Sequence, residues 1–211
     1  MDIQKFEVGP FLENTYLLSR DGKSVLIDPG FSNQPEFSNF KQVFERSGNN
    51  LVAVLLTHAH VDHVLGLSQV LNIYDVPVYL NHTDLLLWEQ FPEQAARFGI
   101  RTGGFDFTPE PLPEGKERVI GPFTMDVLHT PGHSPDHVSL YFSDAASVIA
   151  GDALFRQSIG RTDLYKGDFE VLAKSIREKL YTLPDDTKVM PGHGPETTIG
   201  YEKTNNAFVK G

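Results

Sequence analysis

The sequence predicts an α/β protein with two strand-rich halves, each of which ends in helices. Short β-prone runs bounded by Gly, Pro and Asp alternate with stretches whose apolar residues recur at helical spacing. Four of the predicted strands end directly in a segment that contains His or Asp. The chain has 211 residues, 40% hydrophobic content and no linker or internal repeat, so we expect a single domain with one large core.

The first half is expected to start with a meander of three strands and a surface helix. Turn formers at Gly9-Pro10, Asp21-Gly22 and Pro29-Gly30 separate the β-prone runs, as they do in hairpins. Apolar residues at helical spacing that end at Gly48 predict the surface helix. The elements predicted for this half are strands at 3–8, 15–18, 24–28, 51–56 and 76–80 and helices at 35–47, 64–73 and 83–98.

A segment rich in Gly, Pro and Glu, residues 99–118, leads into the second half. It is too long for a simple connection, and a lid and a solvated excursion are equally good interpretations of it. The elements predicted after it are strands at 123–128, 138–142, 147–150 and 188–190 and helices at 169–183 and about 198–208.

Composition excludes several classes of function. A net charge of -10 disfavours binding to nucleic acid through phosphates. The absence of cysteine excludes disulfides, Cys-ligated zinc and thiol nucleophiles. The N-terminus has no apolar core of signal-peptide length, and no run reaches about 18 apolar residues. We therefore expect a cytoplasmic protein that acts on a small molecule, with no nucleic-acid or membrane partner and an oligomeric state that the sequence leaves open.

The most informative motif is Thr57-His58-Ala59-His60-Val61-Asp62-His63, directly after the apolar strand at 51–56. Neutral imidazoles and a carboxylate together suit divalent Zn, Fe or Mn. Alternation within a tight turn can send His58 and His60 toward one ion and Asp62 and His63 toward a second. The motif therefore predicts a metal site at the end of this strand.

Three later strands end in the same way. His133 follows a strand in a His-Thr-Pro-Gly-His turn, Asp152 follows the next in Ala-Gly-Asp, and His193 follows another in Pro-Gly-His-Gly-Pro. The common pattern points to one edge of the fold. The other histidines are given other roles, a cap or surface position for His82, packing or support of a ligand for His129, and a structural role for His137. Asp28 is either a turn former or a neighbour of the metals.

These motifs, together with Asp28-Pro29-Gly30, resemble those of the metallo-β-lactamase superfamily, and within it those of the short glyoxalase II-like hydrolases (hydroxyacylglutathione hydrolase-like). The resemblance spans essentially the whole chain. It implies a four-layer αββα sandwich with the metal site at the edge of the two sheets. It also implies two divalent ions, one bound by His58, His60 and His133, the other by Asp62, His63 and His193, with Asp152 bridging them. Zinc is the first expectation, with iron and manganese as alternatives.

Two departures from the pattern concern the turn at His133 and the C-terminal part. Asp136 stands where relatives often have Gly, so the turn there must tolerate Asp, which can occupy a left-handed conformation at modest cost. Residues 1–211 are expected to form a single metallo-β-lactamase-like domain without the extra C-terminal helical domain of full-length glyoxalase II. That domain carries basic residues that hold the glutathione carboxylates.

The resemblance implies hydrolysis of acylated small thiols such as hydroxyacylglutathione. Two ions bridged by a carboxylate lower the pKa of a shared water from about 15.7 toward 7, which provides a bridging hydroxide as nucleophile. Asp62 is the predicted catalytic residue that orients it. A thiolate leaves without a proton donor, which favours thioesters over amides. Arg156, Arg161, Tyr165 and Lys166 are predicted to bind a substrate carboxylate, and plain solvation of the loop is the alternative. They lie in or just after the segment 153–163 that the resemblance places beside the substrate.

Three other functions stay open at this point. A mononuclear iron dioxygenase for persulfides shares Gly160-Arg161-Thr162-Asp163, whereas Pro191-Gly192-His193-Gly194-Pro195 is more similar to the binuclear hydrolases. Another hydrolase of the same fold would cleave lactones or β-lactams. A non-enzymatic metal-bound module would need a site closed to water.

Overall fold

The computed structural model describes all residues from Met1 to Gly211 and contains two mixed β-sheets, each in a compact unit of its own. The first unit comprises residues 1–112 and 120–123, and the second comprises residues 113–119 and 124–211. The predicted α/β class is therefore confirmed. The single-domain organisation stays a prediction.

The sheet of the first unit has six strands whose spatial order follows their order in the chain. The strands are β1 (Asp2–Val8), β2 (Glu13–Arg20), β3 (Lys23–Ile27), β4 (Asn50–Leu55), β5 (Val78–Leu80) and β6 (Glu110–Pro111). Strands β1 to β3 are antiparallel, which confirms the meander, and β3 to β6 are parallel. Because parallel strands end at the same edge of a sheet, Asp28 after β3 and Thr57 after β4 meet there.

The helices of the first unit are α1 (Gln34–Ser47), α2 (Val61–Val64), α3 (Leu67–Leu71), α4 (Leu86–Glu89) and α5 (Phe91–Arg97). The side chain of Asn33 caps α1 by accepting a hydrogen bond from the Glu36 amide, and Gly48 ends it in the left-handed conformation. The helix places Phe37, Phe40 and Phe44 in the core.

Two helices predicted as continuous are each divided in the structure. The segment 64–73 is divided at Gly66, where a Cβ atom would lie 2.7 Å from the Phe31 ring. The segment 83–98 is divided at Gln90, because Pro92 lacks an amide proton and fits only the first turn of a new helix. Helical periodicity was therefore read correctly, but it does not reveal these interruptions.

The sheet of the second unit also has six strands, in the order β14-β13-β10-β9-β8-β7. These are β7 (Gly115–Ile120), β8 (Phe123–His129), β9 (Val138–Phe142), β10 (Ser147–Gly151), β13 (Lys188–Pro191) and β14 (Thr197–Thr198), and a separate hairpin pairs β11 (Leu154–Phe155) with β12 (Ser158–Ile159). β9 is antiparallel to both β8 and β10, and β10 is parallel to β13. The segments after β8, β10 and β13 therefore leave the sheet at the same edge.

The helices of the second unit are α6 (Phe169–Ser175), which continues as a π-helical turn over Ile176–Leu180, α7 (Ile199–Asn205), and a short 3₁₀ turn over Ser143–Ala145. The helix predicted at 169–183 thus changes its hydrogen bonding at Ile176. The predicted loop 99–118 also contains structure, because β6 pairs with β5 and β7 begins at Gly115. Pro111 is tolerated in β6 because this strand is at the edge of its sheet.

Each unit has its own hydrophobic core. In the first unit, Phe31, Phe40 and Leu56 are among the fully buried side chains. In the second unit, the core includes Leu172 and Ile176 of the helical segment. None of the helices has the length and apolar character needed to cross a membrane.

Candidate metal centre

The ligands predicted in the first unit lie directly after β4 and are held by Asp28. The amide and hydroxyl of Thr57 both donate to the Asp28 carboxylate, at 2.7 and 2.6 Å. Because the Thr57 hydroxyl proton is used there, its oxygen accepts from Nδ1 of His58 at 3.0 Å. His58 therefore carries its proton on Nδ1 and has its lone pair on Nε2, the form in which an imidazole binds a metal.

His63 is oriented in the same way. Its Nδ1 lies 3.0 Å from Oδ2 of Asp28, which accepts the proton and leaves Nε2 as the basic atom. Oδ2 of Asp62 is 3.9 Å from this Nε2. The rings of His58 and His60 meet edge to face with 4.7 Å between their centroids, and the two residues offer ligand atoms within 4.8 Å of each other. The first unit thus assembles all four predicted ligands of the opening motif.

The backbone at Asp28-Pro29-Gly30 explains how this arrangement fits. Asp28 has a φ of 50°, so both interpretations of it hold, since it forms the turn and its carboxylate contacts the ligand residues. A Cβ atom at Gly30 would lie 2.3 Å from Oε2 of Glu13 and 2.4 Å from the main-chain oxygen of Asp62. Only glycine lets the chain pass between these two groups.

Glu13 is a buried acid that the sequence analysis did not single out. Its Oε2 accepts from the Thr15 hydroxyl at 2.7 Å, and its Oε1 lies 3.9 Å from Nδ1 of His63. Burial raises the pKa of the Glu13 carboxyl well above its usual value, with His63 acting in the opposite direction and Asp28 adding to the increase. Glu13 begins β2, and because the polar residues Asn14 and Thr15 follow it, no sequence signal marks it as a buried acid.

The ligands predicted in the second unit are centred on Asp152. Its Oδ2 lies 3.5 Å from Nε2 of His133 and 3.5 Å from Nε2 of His193. Nδ1 of His133 donates to the main-chain oxygen of Arg161 at 2.8 Å, so its Nε2 carries the lone pair. Two ligands that each bind zinc at about 2.0–2.2 Å in tetrahedral geometry are separated by roughly 3.3–3.5 Å. The spacing therefore fits a carboxylate that shares one ion with each imidazole.

Two glycines set the backbone around these ligands. A Cβ atom at Gly160 would lie 1.9 Å from the main-chain oxygen of Asp152 and 3.0 Å from Nδ1 of His133. Gly132, in the turn before His133, has a φ of 123°, and a Cβ atom there would lie 2.2 Å from the amide nitrogen of Leu172 in α6. Close approach of backbone segments, which requires glycine at both positions, thus fixes the turn and the loop that carry His133 and Asp152.

The four residues predicted to bind substrate form contacts with residues nearby in the sequence or with a residue of α7. Arg161 forms two hydrogen bonds of 2.7 Å with Asp163. The guanidinium of Arg156 lies 5.7 Å from the centre of the Tyr201 ring, and Nζ of Lys166 lies 5.3 Å from that of Tyr165. The main chain of Arg161, rather than its side chain, contacts a predicted ligand. The substrate-binding role of these four residues stays a prediction.

The other histidines form hydrogen bonds away from the ligand atoms. Nε2 of His82 donates to the main-chain oxygen of Pro109, and His82 is exposed, which confirms the predicted surface position. Nε2 of His129 donates to the main-chain oxygen of Pro135. His137 is fully buried. The turn accommodates Asp136 without a left-handed conformation, because its φ is not positive. Its carboxylate instead accepts from the Ser134 hydroxyl at 2.7 Å.

The donor chemistry fits divalent transition metals. His58, His63 and His133 each donate from Nδ1 to an oxygen and present Nε2, which is the usual arrangement of metal-binding histidines in proteins. All three are buried, and carboxylates lie beside them. Imidazole and carboxylate together suit zinc, iron and manganese and select against calcium and magnesium.

Comparison with known proteins identifies the family. The family model of the metallo-β-lactamase superfamily matches residues 8–193. The chain is 42% identical to the probable metallo-hydrolase YqgX of Bacillus subtilis, across 100% of this chain and 99% of that protein. It is 38% identical to the hydroxyacylglutathione hydrolase GloC of Haemophilus influenzae, across 99% of this chain and 98% of that protein.

Solved structures show the same fold. The BLEG-1 B3 metallo-β-lactamase is 38% identical, with a TM-score of 0.89 over 100% of both chains. TTHA1623, solved in a di-iron-bound form, is 41% identical, with a TM-score of 0.87 over 98% of this chain and 100% of that chain. The fold predicted from the motifs is confirmed by these matches, and the chain belongs to the metallo-β-lactamase superfamily.

Proposed function

We propose that this protein is a metal-dependent hydrolase that cleaves thioesters of small thiols, of the hydroxyacylglutathione type. We further propose that the two ligand sets form one binuclear centre. In this centre His58, His60 and His133 would hold one ion, Asp62, His63 and His193 would hold the other, and Asp152 would be a ligand of both. Membership of the metallo-β-lactamase superfamily supports metal-dependent hydrolysis.

The observation that carries the proposal is the position of the Asp152 carboxylate, 3.5 Å from Nε2 of both His133 and His193. A single oxygen at the same distance from two imidazoles is the arrangement needed for a ligand shared between two ions. When bound, two such ions lower the pKa of a shared water toward about 7 and polarise a substrate carbonyl.

Residues of the protein orient the ligand imidazoles and the attacking water. Asp28 and the main chain of Arg161 hold the imidazoles of His63 and His133 in the tautomer that binds metal. Asp62 is about 17% exposed at its side chain, so its carboxylate can reach solvent and orient an attacking water or accept its proton.

The preference for thioesters rests on the leaving group and on one relative. A thiolate with a pKa near 8.5 leaves without protonation, whereas an amide nitrogen needs a general acid. The relative GloC, which matches over nearly all of this chain, is a hydroxyacylglutathione hydrolase. Arg156, Arg161, Tyr165 and Lys166 are proposed to bind the carboxylates of such a substrate, which requires the Arg161 guanidinium to exchange its bonds with Asp163.

The direct test is hydrolysis of S-lactoylglutathione by the protein loaded with zinc, iron or manganese. We expect His60→Ala and Asp152→Ala to lower kcat/KM by more than about 100-fold. Loss of a residue that only hydrogen-bonds to a metal ligand already lowers metal affinity or activity by about 10–100-fold. His82→Gln is the matched control, since it removes an imidazole that binds the Pro109 oxygen instead. Unchanged turnover in both ligand variants would contradict the mechanism.

β-Lactam hydrolysis is a second candidate, favoured by the TM-score of 0.89 to the BLEG-1 B3 enzyme. A panel of thioester, lactone and β-lactam substrates separates these activities by their kcat/KM values. Metal analysis tests the dioxygenase alternative, because one iron per chain with thiol-dependent oxygen uptake would replace hydrolysis as the function.

A further inference from the structure

His137 is a buried histidine that neither ligand set uses. It lies at the residue before β9 and has no exposed surface. Its Nε2 accepts a hydrogen bond of 2.9 Å from the main-chain amide of Asp152, and its Nδ1 lies 2.8 Å from the hydroxyl oxygen of Thr130. One ring thus connects the turn before His133 to the residue proposed to bridge the ions.

Ser139, Thr130 and His137 form a continuous row of hydrogen bonds. The donor of each bond follows from the groups at the two ends of this row. Ser139 donates its hydroxyl proton to the main-chain oxygen of Ala150 at 3.3 Å. Its oxygen is then the acceptor for the Thr130 hydroxyl, 3.0 Å away. The Thr130 oxygen in turn accepts from Nδ1 of His137, so this ring is protonated on Nδ1 and presents a lone pair on Nε2. That lone pair is what the Asp152 amide requires.

We propose that His137 is a positioning residue, which in its neutral Nδ1-protonated form holds the main chain of Asp152 and so fixes the bridging carboxylate. The inference rests on the proposed role of Asp152 as a metal ligand. The Asp152 amide is buried and donates to His137 Nε2, and a buried amide that loses its acceptor is costly. Loss of the Nε2 acceptor would therefore move the backbone and change the 3.5 Å distances from Asp152 to His133 and His193.

Two substitutions of His137 separate this role from simple packing. In His137→Gln, the amide oxygen can occupy the position of Nε2 and accept from Asp152, while the bond to Thr130 is lost. In His137→Asn, the amide nitrogen can occupy the position of Nδ1 and donate to Thr130, while the acceptor for Asp152 is lost. Both variants remove the ring, so a role in packing alone predicts similar defects.

The measurement is metal affinity, by competition of a chromogenic chelator with the zinc-loaded protein. We expect His137→Asn to weaken at least one of two zinc sites by about 10–100-fold, and His137→Gln to lose less than about tenfold. Asn and Gln variants that are equally weakened, or an Asn variant with wild-type affinity, would overturn the proposal. If the wild-type protein binds no zinc, the proposed function fails instead, which keeps the two failures distinct.

The tautomer provides a test that needs neither activity nor a variant that folds. Nitrogen-15 chemical shifts of the His137 ring in the wild-type protein distinguish a protonated Nδ1 from a protonated Nε2. We expect Nδ1 to be protonated and Nε2 to be an acceptor. A ring protonated on Nε2 would overturn the proposal, because it cannot accept from Asp152.

A second pair of variants acts on the same ring from a distance. Thr130→Val keeps the shape of the side chain but removes the acceptor of the Nδ1 proton, whereas Thr130→Ser keeps the hydroxyl. We expect Thr130→Val to shift the ring toward the Nε2-protonated form and to weaken zinc binding, and Thr130→Ser to retain both properties. An unchanged tautomer and affinity in Thr130→Val would contradict the proposed chain of hydrogen bonds.

Discussion

At the scale of residues, oxygen atoms that accept from Nδ1 give this protein its metal-binding character. Thr57 serves His58, Asp28 serves His63, and the main chain of Arg161 serves His133. Each bond fixes the tautomer and the orientation of a ring before any ion binds. Preorganisation of this kind lowers the cost of assembling a site from several segments of the chain.

Gly160 tests the dependence of the ligands on this backbone. In Gly160→Ala, the added Cβ atom would lie 1.9 Å from the Asp152 main-chain oxygen, so the segment must move away from both Asp152 and His133. We expect zinc affinity to fall by about 10–100-fold, as for other losses of support around a ligand. Gly103→Ala is the control, because a Cβ atom there meets nothing within 4 Å. Equal affinity of the two variants, measured by chelator competition, would show that the loop does not position the ligands.

At the scale of elements, the ligand residues at strand ends were predictable from the sequence, whereas the interruptions of the predicted helices were not. The motif after β4 was found because an apolar strand and clustered ligands are both visible in sequence, and the same holds for Asp152 after β10. Two-residue strands such as β6 and β14 are set by pairing with a neighbour, which leaves no periodic pattern to detect. The turn at Asp136 needs no left-handed conformation, and the hydrogen bond that its carboxylate accepts from Ser134 was not evident from the sequence.

The contacts of Thr130, His137 and Gly160 were also outside the reach of sequence reasoning, although a structural role was predicted for His137. Each contact joins different turns or loops, such as the one between Gly160 and Asp152. The proposed metal ligands were named from the sequence because their residue types and spacing carry the signal. Asp28 was also singled out from its turn, whereas Thr130 and Gly160 are of common types and carry no such signal.

The π-helical turn after α6 gives a prediction for alkaline pH. The Tyr181 hydroxyl that follows it donates to the main-chain oxygen of Val209 at 2.8 Å. Burial, and secondarily Glu202, raises the pKa of Tyr181 above its usual value. Since the folded pKa is raised, this stabilisation is complete below about pH 10, the pKa of an unfolded tyrosine, and is lost as the pH rises further.

Tyr181→Phe should therefore be less stable than wild type at pH 8, by about 0.5–1.5 kcal/mol for the lost hydrogen bond. Its free energy of unfolding should also fall less steeply between about pH 9 and 11, because it has no phenol to ionise. Urea unfolding at several pH values measures both effects. Tyr165→Phe, at a more exposed tyrosine, is the control. Parallel pH profiles for wild type and Tyr181→Phe would exclude a contribution from this phenol.

At the scale of the whole molecule, each compact unit supplies part of the proposed ligand set. His58, His60, Asp62 and His63 belong to the first unit, and His133, Asp152 and His193 belong to the second. Within each unit the ligand residues follow strands that leave the sheet at one edge, which explains how separate segments of that unit bring its ligands together. We propose that the two sets together hold two ions.

Anomalous X-ray scattering from crystals of the zinc-loaded protein, recorded on both sides of the zinc absorption edge, locates the ions. We expect two peaks about 3.5–4 Å apart. One peak should contact His58, His60 and His133, the other should contact Asp62, His63 and His193, and Asp152 should touch both. A single peak, or peaks whose ligands all come from one of the two units, would contradict this proposal.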